Sequence, residues 1–333
     1  MERSISVVIP NYNGSGTIGK CLEAVFRSDY EQYEVIVVDD ASTDGSREII
    51  RQFPCRLVEL EKHSGASKAR NAGALQSRGD ILFFTDADCL LLHNTLSLAN
   101  AALETGQDQE IVIGGTYTPL PYDTDFFSVF QSLFVHYSET RKREPDYIAT
   151  HAMVISSVLF RNSGGFPEDF LPMIEDVEFS HRLRRLGIKL AMNSAIQVKH
   201  VFNFTFAKSL KNGFRKSRYW TAYSLSNRDL FRDSGTASWE LKADVFSWLC
   251  ILSLAFFAVA LGTASLLLAV PLILILNWSI SGGFLRIGSR AKGRAYSFAA
   301  ALYYSLIYPV AVASGALVGI IQYLSNRSLG VRR

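Results

Sequence analysis

Two long runs without a charged residue constrain the fold of this chain more than any other feature of its sequence. Residues 245–285 and residues 295–326 contain no Asp, Glu, Lys or Arg. An α-helix of about 20 apolar residues spans the roughly 30 Å hydrocarbon core of a bilayer. The first run is long enough for a hairpin of two such helices, and the second for one more. The sequence therefore predicts about three membrane spans, at residues 245–261, 264–281 and 297–324, unless Pro309 breaks the last into a re-entrant or interfacial piece.

Basic residues between the two runs indicate the orientation in the membrane. Arg286, Arg290, Lys292 and Arg294 crowd this short link, and Lys and Arg favour the cytoplasmic side. A hairpin in the first run returns the chain to the side from which it entered, so the amino-terminal region is also expected in the cytoplasm. The start of the chain shows no secretory signal. We predict a multi-pass protein of the cell (inner) membrane with a cytoplasmic amino-terminal domain.

A repeated pattern of strand and helix fills the first part of the chain. Apolar runs at residues 5–9, 35–38, 56–60 and 81–84 each precede a polar turn and a helical stretch. Strands that are apolar on both faces and alternate with helices indicate an α/β fold with a parallel sheet covered on both sides. Ligands of such sheets bind at the carboxyl ends of the strands. The polar residues that follow each strand are therefore candidates for a binding site.

Two carboxylates, Asp86 and Asp88, follow the buried run Ile81–Phe84. Side chains at i and i+2 of an extended segment point to the same side, so these two carboxylates can share one metal ion. Hard oxygen ligands suit Mg²⁺ or Mn²⁺ that carries phosphate. We therefore predict a divalent cation site here, with a solvated turn or a helix cap as the alternative for a pair at this spacing.

Further acidic residues occupy comparable positions. Asp39 and Asp40 end the second strand, where a carboxylate accepts hydrogen bonds from a base or a ribose. The alternative is that Asp40 and Asp44 cap turns and the next helix. Glu175 and Asp176 begin a predicted helix. A carboxylate near a metal can serve there as a general base, and the alternative is again a helix cap.

Basic groups and histidines complete the set of candidates. Arg70 lies in a helix that starts after the third strand, and helix N-termini with nearby basic residues attract phosphate. His200 follows a late strand and is either a third metal ligand or a packing residue. His63 and His151 have no sequence neighbours that indicate a role.

Basic and aromatic side chains are interleaved through residues 203–232, just before the first uncharged run. This composition suggests a helix lying in the lipid interface, and an ordinary solvated helix is the alternative. The predicted division is a catalytic-type α/β domain over residues 1–202, an interface region over 203–240 and a transmembrane region over 241–326. The net charge of +3 is too small to indicate a nucleic-acid partner.

Six short motifs, taken together, resemble the ordered motif set of family 2 glycosyltransferases with the GT-A fold. The resemblance covers about residues 4–200. The motifs are Val7–Gly14, Val37–Ser46, Ala69–Gly73, Asp86–Asp88, Gly164–Phe166 and Glu175–Asp176.

The resemblance implies both an architecture and a reaction. The architecture is a Rossmann-like mixed sheet of the GT-A (nucleotide-diphospho-sugar transferase) type, followed by an interfacial helix and carboxyl-terminal transmembrane helices. The reaction is the inverting, metal-dependent transfer of a sugar from a UDP- or GDP-type nucleotide-sugar. The expected acceptor is membrane-associated, either lipid-linked or a glycan, and the expected cofactor is Mg²⁺ or Mn²⁺.

The resemblance also assigns roles to individual residues. Asp176, with Glu175 beside it, is the implied catalytic base. The implied metal ligands are Asp88 and Asp86, to which His200 is added. The implied donor-binding residues are Pro10, Asn11, Tyr12, Asp39, Asp40, Arg70 and Asp86.

One motif departs from the pattern of the processive polysaccharide synthases in this family. Those enzymes carry a Gln-x-x-Arg-Trp box, and the nearest match here is Lys216–Trp220. Three short spans are also few for a polymer channel. Transfer of a single sugar is therefore the expected activity, with a processive synthase or a non-catalytic membrane scaffold as the alternatives.

Overall fold

An eight-stranded mixed sheet organises the amino-terminal part of the chain in the computed structural model, which describes residues 3–104, 110–169 and 173–328. The spatial order of its strands is β3-β2-β1-β4-β7-β6-β8-β5. The strands are β1 (Ile5–Asn11), β2 (Tyr33–Asp39), β3 (Arg56–Glu59), β4 (Ile81–Phe84), β5 (Cys89–Leu91), β6 (Ile111–Tyr117), β7 (Met153–Ser156) and β8 (Lys189–His200). The predicted α/β fold with a mixed sheet is confirmed.

The four apolar runs of the repeated pattern form the parallel half of this sheet. Strands β3, β2, β1 and β4 run parallel to one another. All four residues of β4 are buried, as are most residues of β1 and β2, which explains why these runs lack polar alternation. The prediction of parallel strands from these four runs is confirmed. Further along the sheet β7 pairs antiparallel with both β4 and β6, which makes the sheet mixed.

The sequence pattern did not indicate β5 and β7. They contain three and four residues, too few to show a period. Each is defined by its partners, since β5 pairs antiparallel with the end of β8 and β7 is inserted between β4 and β6.

The chain folds into two compact units. The first comprises Met1–Thr124 and Glu139–Asn203, and the second comprises Asp125–Ser138 and Phe204–Arg333. The division predicted at residues 202 and 240 stays a prediction. The helices of the first 203 residues are α1 (Ile18–Val25), α2 (Ser46–Ile50), α3 (Ala66–Gln76), α4 (Thr95–Glu104), α5 (Phe126–Thr140), α6 (Ser157–Asn162) and α7 (Glu175–Arg185).

Helix α3 lies unusually close to the sheet. A Cβ atom on Gly73 would come within 2.4 Å of Val8 Cγ1, so only glycine allows this approach. The contact fixes α3 against β1.

The second unit is helical. A 3₁₀ segment, Ala264–Ala269, precedes α10, and a π-helical segment, Tyr303–Ile307, joins α12 to α13. The helices are α8 (Phe206–Asn227), α9 (Trp239–Ala260), α10 (Val270–Ile280), α11 (Gly282–Lys292), α12 (Arg294–Leu302) and α13 (Tyr308–Ser328).

Two helical segments in the described part of the chain are long and apolar enough to cross a membrane. They are Trp239–Ala260 and the continuous stretch Arg294–Ser325, which match the first and last predicted spans. The predicted second span corresponds to a bent pair of helical segments, in which Ala264–Ile280 meets α11 at 75°. This pair gives a third membrane span only if its two segments cross the membrane together. The basic link is itself the amphipathic helix α11 rather than a loop.

Helix α8 occupies the segment predicted to lie in the lipid interface, and it packs along α13. A Cβ atom on Gly315 would lie 2.3 Å from the Phe214 carbonyl oxygen, and one on Gly319 would lie 2.4 Å from that of Arg218. The two backbones therefore touch, and Ser217 Oγ donates to the Val312 carbonyl oxygen at 2.7 Å. This close helix pair was not predicted, because no local pattern in α8 indicates which helix it contacts.

Candidate active site

The carboxyl ends of the parallel strands carry most of the predicted site residues. Strand β1 ends at Asn11, just after the partly buried Pro10, and β2 ends at Asp39. Asn11 and Asp39 are register partners in the sheet. Strand β4 ends at Phe84, two residues before Asp86. These side chains are therefore gathered at one edge of the sheet, as expected for this class of fold.

Asp39 is a fully buried carboxylate with several partners. Its Oδ1 accepts a hydrogen bond from Asn11 Nδ2 at 2.9 Å, and its Oδ2 accepts one from the backbone N–H of Ser42 at 3.0 Å. The Arg47 guanidinium lies 3.7 Å from Oδ2. The carboxylate thus fixes the turns that follow β1 and β2, and its contact with a nucleotide base stays a prediction.

Asp40 holds the loop that leads into α3. Its carboxylate accepts hydrogen bonds from the backbone N–H groups of Ser64 and Gly65 at 2.7 and 2.8 Å. His63 Nδ1 lies 2.8 Å from the same carboxylate, and the His63 ring stacks on Tyr12 with centroids 3.9 Å apart. The expectation that His63 has no notable neighbours is wrong, because it covers one face of the half-exposed Tyr12 ring.

Arg70 connects two predicted site residues from distant parts of the chain. Its Nη2 donates to Asp86 Oδ1 at 2.7 Å, and its Nη1 donates to Glu175 Oε1 at 2.8 Å. Burial alone lowers the pKa of Arg70, but the two carboxylates outweigh burial and raise it above its usual value. Asp86 shows the reciprocal effect: burial raises its pKa, but Arg70, followed by His151 and His200, lowers it below its usual value. Arg70 therefore stays charged and holds both acids.

Replacement of Arg70 by alanine is expected to destabilise the first unit by about 3–5 kcal/mol, because it leaves two carboxylates without their cation. Thermal unfolding of the purified protein measures this loss. The control is Arg51→Ala, which removes the largely exposed Arg51–Glu59 ion pair and should change stability by at most about 1 kcal/mol. Equal effects of the two substitutions would contradict the structural role given to Arg70.

Asp88 and His200 meet through the pairing of β5 with β8. Cys89 is the register partner of His200, and the Val201 N–H donates to the Asp88 carbonyl oxygen at 2.8 Å. As a result His200 Nε2 lies 3.4 Å from Asp88 Oδ1. One side-chain ligand atom each from Asp88, Cys89 and His200 falls within 4.8 Å of the others.

The premise that placed Asp86 and Asp88 on one extended segment is wrong. Residues 85–88 form a turn between β4 and β5, so the alternation rule does not apply to them. The two carboxylates have different partners, Arg70 for Asp86 and His200 for Asp88. Their assignment as ligands of one metal stays a prediction.

His151 belongs to the site although its sequence context did not indicate it. The imidazole is 5% exposed, and its Nε2 lies 3.3 Å from Glu139 Oε2, which also accepts a hydrogen bond from Thr116 Oγ1. It stacks on Tyr117, with centroids 4.0 Å apart, and the same Tyr117 ring meets His200 edge-on at 4.9 Å. The only sequence signal was the position of His151 shortly before an apolar run, which is not specific.

The stability contributed by His151 is expected to depend on pH. Burial lowers the pKa of His151, but Glu139, followed by Asp86 and Asp176, raises it above its usual value. A group whose pKa rises on folding stabilises the protein fully below its unfolded pKa, about 6.5, and this contribution disappears as the pH rises through the folded pKa. In metal-free protein, His151→Gln should therefore lower the thermal unfolding midpoint more at about pH 5.5 than at about pH 9.

The exposed His93 offers the matched control. His93→Gln should shift the unfolding midpoint little, and equally at both pH values. A pH-independent loss for His151→Gln would mean that packing against Tyr117, rather than the charge of the imidazolium, accounts for its contribution.

The first turn of α7 places Glu175 and Asp176 beside this cluster. Glu175 is held by Arg70, and Asp176 interacts electrostatically with His151. Asp176 Oδ1 also accepts a hydrogen bond from the Val177 N–H at 2.8 Å. Asp176 thus accepts from one N–H of the first turn of α7, whereas the N-cap residue itself is Ile174. The catalytic role of either carboxylate stays a prediction.

The Gly164–Phe166 motif fixes the approach to α7. Gly165 has φ of +68°, and a Cβ atom there would lie 2.7 Å from Asn71 Oδ1, so the turn requires glycine. Asn71 exchanges two hydrogen bonds with the backbone of Phe166, at 2.8 and 2.9 Å. The segment before α7 is thereby tied to α3, the helix that carries Arg70.

The amino-terminal part of the chain matches a known protein family. Residues 6–162, which include β1 to β4, Arg70, Asp86 and Asp88, match the model of Glycosyl transferase family 2. This part of the chain, slightly less than half of its length, is similar to family 2 glycosyltransferases. The resemblance identified from the six motifs is confirmed.

Curated relatives match this chain over limited stretches. Glycosyltransferase AglE of Haloferax volcanii is 47% identical over 92 residues, which are 26% of this chain and 30% of AglE. Glycosyltransferase GlyG of Streptococcus pneumoniae serotype 4 is 31% identical over 132 residues, 38% of this chain and 44% of GlyG. The chain thus matches less than half of the length of either relative.

A solved structure shares the fold over nearly the whole of this chain. It is the mannosyltransferase PcManGT from Pyrobaculum calidifontis in complex with GDP-Man and Mn²⁺, with a TM-score of 0.59. The alignment covers 98% of this chain and 88% of PcManGT at 18% sequence identity. This likeness confirms the GT-A fold.

Proposed function

We propose that this glycosyltransferase moves one sugar from a UDP- or GDP-type nucleotide-sugar to a membrane-associated acceptor, with inversion at the anomeric carbon. The observation that carries the proposal is the gathering of acidic and basic groups at one edge of the sheet in a family 2 domain. Arg70 joins Asp86 to Glu175, and β5–β8 pairing joins Asp88 to His200. A nucleotide-sugar matches this site in two ways: its diphosphate can pair with basic groups, and its sugar hydroxyls can donate hydrogen bonds to the carboxylates.

The nucleoside would bind at the ends of β1 and β2. Tyr12 presents a half-exposed ring with one face on His63, and Asp40 keeps the adjacent loop in place. An aromatic face of this kind suits stacking on a base. Asp39 and Asn11 shape the floor of the same region. The nucleotide-bound structure of PcManGT supports a nucleotide-sugar as the donor class.

The donor atoms beside β5 fit a divalent cation. Asp88 would supply a carboxylate oxygen, and His200 an imidazole nitrogen. Burial raises the pKa of the Cys89 thiol well above its usual value in the metal-free protein. The carboxylate oxygen and the imidazole nitrogen are therefore the proposed ligand atoms. This mixed set suits Mn²⁺ better than Mg²⁺, which favours oxygen ligands in octahedral geometry. When bound, the cation would neutralise charge that develops on the leaving diphosphate.

Asp176 is the proposed general base. A carboxylate oxygen of Asp176 takes the proton of the acceptor hydroxyl as the hydroxyl oxygen bonds to the anomeric carbon, and the bond from that carbon to the diphosphate oxygen breaks. A single displacement from the opposite face inverts the configuration. Arg70 holds the first turn of α7 through Glu175, which keeps the neighbouring Asp176 in position.

The acceptor is proposed to be a lipid-linked molecule or a glycan at the cytoplasmic face of the cell (inner) membrane. Support comes from the two long apolar helices and the bent third segment of the second unit. The basic residues of α11 favour the cytoplasmic side for the link between the apolar runs. A multi-pass arrangement follows if these segments all insert.

The direct test is a transfer assay on the purified full chain in detergent, with Mn²⁺, a panel of labelled UDP- and GDP-sugars and a membrane lipid extract. We expect label from one donor to enter the lipid-soluble or glycan fraction, and chelation of the metal to stop the transfer. Nuclear magnetic resonance of the product would show the inverted anomer. Absence of transfer from every donor, with metal present, would overturn the proposal.

A further inference from the structure

The helical unit contains a large apolar cavity that the sugar-transfer proposal does not use. Its volume is about 470 Å³, within the range of roughly 300–1,000 Å³ typical of small-molecule sites. It is formed by α5, α8, the segment after α8, the start of α9, and α13. Large apolar side chains dominate its lining, among them Trp220, Phe231, Trp239, Phe246, Tyr308 and Val312.

The cavity opens onto an apolar surface. Phe231, Trp239 and Phe246 line it and are nevertheless 72%, 54% and 68% exposed. Along α9 the same kind of surface continues with exposed Leu252 and Phe256. An occupant that enters from this side leaves hydrocarbon rather than water, so its entering part must itself be apolar.

The charge pattern of α9 indicates the level of the cavity in the bilayer. The charged residues of this helix, Glu240, Lys242 and Asp244, all precede Val245, and the rest of the helix is uncharged. The cavity is lined by Trp239 to Phe246, and so lies where the helix changes from charged to apolar. Tryptophan and lysine are typical of this boundary between headgroups and hydrocarbon.

Two lysines give the cavity a polar end. Lys216 of α8 and Lys242 of α9 both line it and bring basic side chains to its wall. The Lys242 ammonium lies 5.6 Å from the centre of the Trp239 ring and also donates to the Arg232 carbonyl oxygen. An apolar chamber with two cations at the headgroup level complements one kind of molecule, an anionic amphiphile.

We propose that this cavity binds one anionic phospholipid of the bilayer, with a hydrocarbon chain in the chamber and the phosphate at Lys216 and Lys242. The continuity of the cavity with the exposed surface of α9 points to a bilayer lipid as the occupant. The site would anchor the helical unit at the membrane surface. This inference rests on the membrane attachment proposed above and is independent of sugar transfer.

Native mass spectrometry of the full chain, released from nanodiscs of phosphatidylglycerol or of phosphatidylcholine, tests the proposal. The wild-type protein should retain one phosphatidylglycerol. Ala243→Trp, which fills the chamber, should lose it, whereas Leu252→Trp, on the exposed surface of the same helix and outside the cavity, should retain it. Lys216→Gln should weaken phosphatidylglycerol retention about fivefold, the effect of one basic residue at an anionic surface, and Lys211→Gln on the exposed side of α8 should not.

Several outcomes would overturn the proposal. One is equal lipid retention by wild type and Ala243→Trp, and another is equal retention of the two lipids by wild type. A third is retention of added polyprenyl phosphate by a wild-type protein that does not retain phosphatidylglycerol. Val245→Trp is a second filling variant that keeps the test decisive if Ala243→Trp does not fold. Metal-dependent binding of a nucleoside diphosphate is measured in parallel. If the wild-type protein shows no such binding, the result counts against the proposed function and not against the lipid site.

Discussion

Asp88→Asn is expected to lower the rate of sugar transfer by about 100- to 1,000-fold, because it removes an anionic ligand from the site that stabilises the leaving diphosphate. The same substitution should remove the dependence of nucleoside diphosphate binding on Mn²⁺. Both effects follow from the position of Asp88 beside His200, where oxygen and nitrogen ligands come within reach of one ion. Titration calorimetry with and without Mn²⁺, and the transfer assay, measure them.

The control for this experiment is Glu23→Gln, which also removes one negative charge. Glu23 lies on α1 and forms a largely exposed pair with Arg27, so this variant should keep both Mn²⁺ dependence and transfer. The unfolding midpoint of each variant shows whether the fold is retained. Metal-dependent binding that survives in folded Asp88→Asn protein would refute the ligand role of Asp88.

Asp176→Asn should separate chemistry from binding. We expect transfer to fall by about 100- to 10,000-fold, the usual contribution of a general base, while the affinity for the nucleotide-sugar and for Mn²⁺ stays close to that of the wild type. The reason is that asparagine retains the size and hydrogen-bonding ability of the side chain but no longer accepts the proton of the acceptor hydroxyl. Donor affinity and transfer rate are measured separately on the same preparation.

Two other acidic residues of α7 provide comparison variants for this experiment. Glu178→Gln removes a carboxylate that pairs with Arg182, and it should leave the transfer rate nearly unchanged. Glu175→Gln weakens the contact with Arg70, so it should lower thermal stability more than Asp176→Asn does. A variant Asp176→Asn that transfers sugar at the wild-type rate would require another base.

The sequence was most informative where structure is set locally. Strands β1, β2 and β4 are apolar throughout and are followed by turns, so both their existence and the position of the site at their carboxyl ends could be predicted. The family motifs then supplied roles for residues whose chemistry alone left two interpretations open, such as Asp40 as a ligand-binding or a turn-capping residue.

The parts that escaped prediction depend on contacts between distant segments. His151 belongs to the site because Glu139 and Tyr117 enclose it, and neither residue is near it in the sequence. The three residues of β5 form a strand only because β8 lies beside them. Likewise α8 was predicted from composition, but its packing on Gly315 and Gly319 follows from the shape of α13.

The pairing of β5 with β8 has a consequence for biosynthesis. Asp88 emerges early, but its imidazole partner is the final residue of the last strand of the sheet, so the two come together only after more than a hundred further residues have been added. Contacts of such long sequence separation form late in folding. Under the proposed ligand roles of Asp88 and His200, ion affinity would therefore report whether the sheet is complete, and chains that end before His200 would bind the cation weakly.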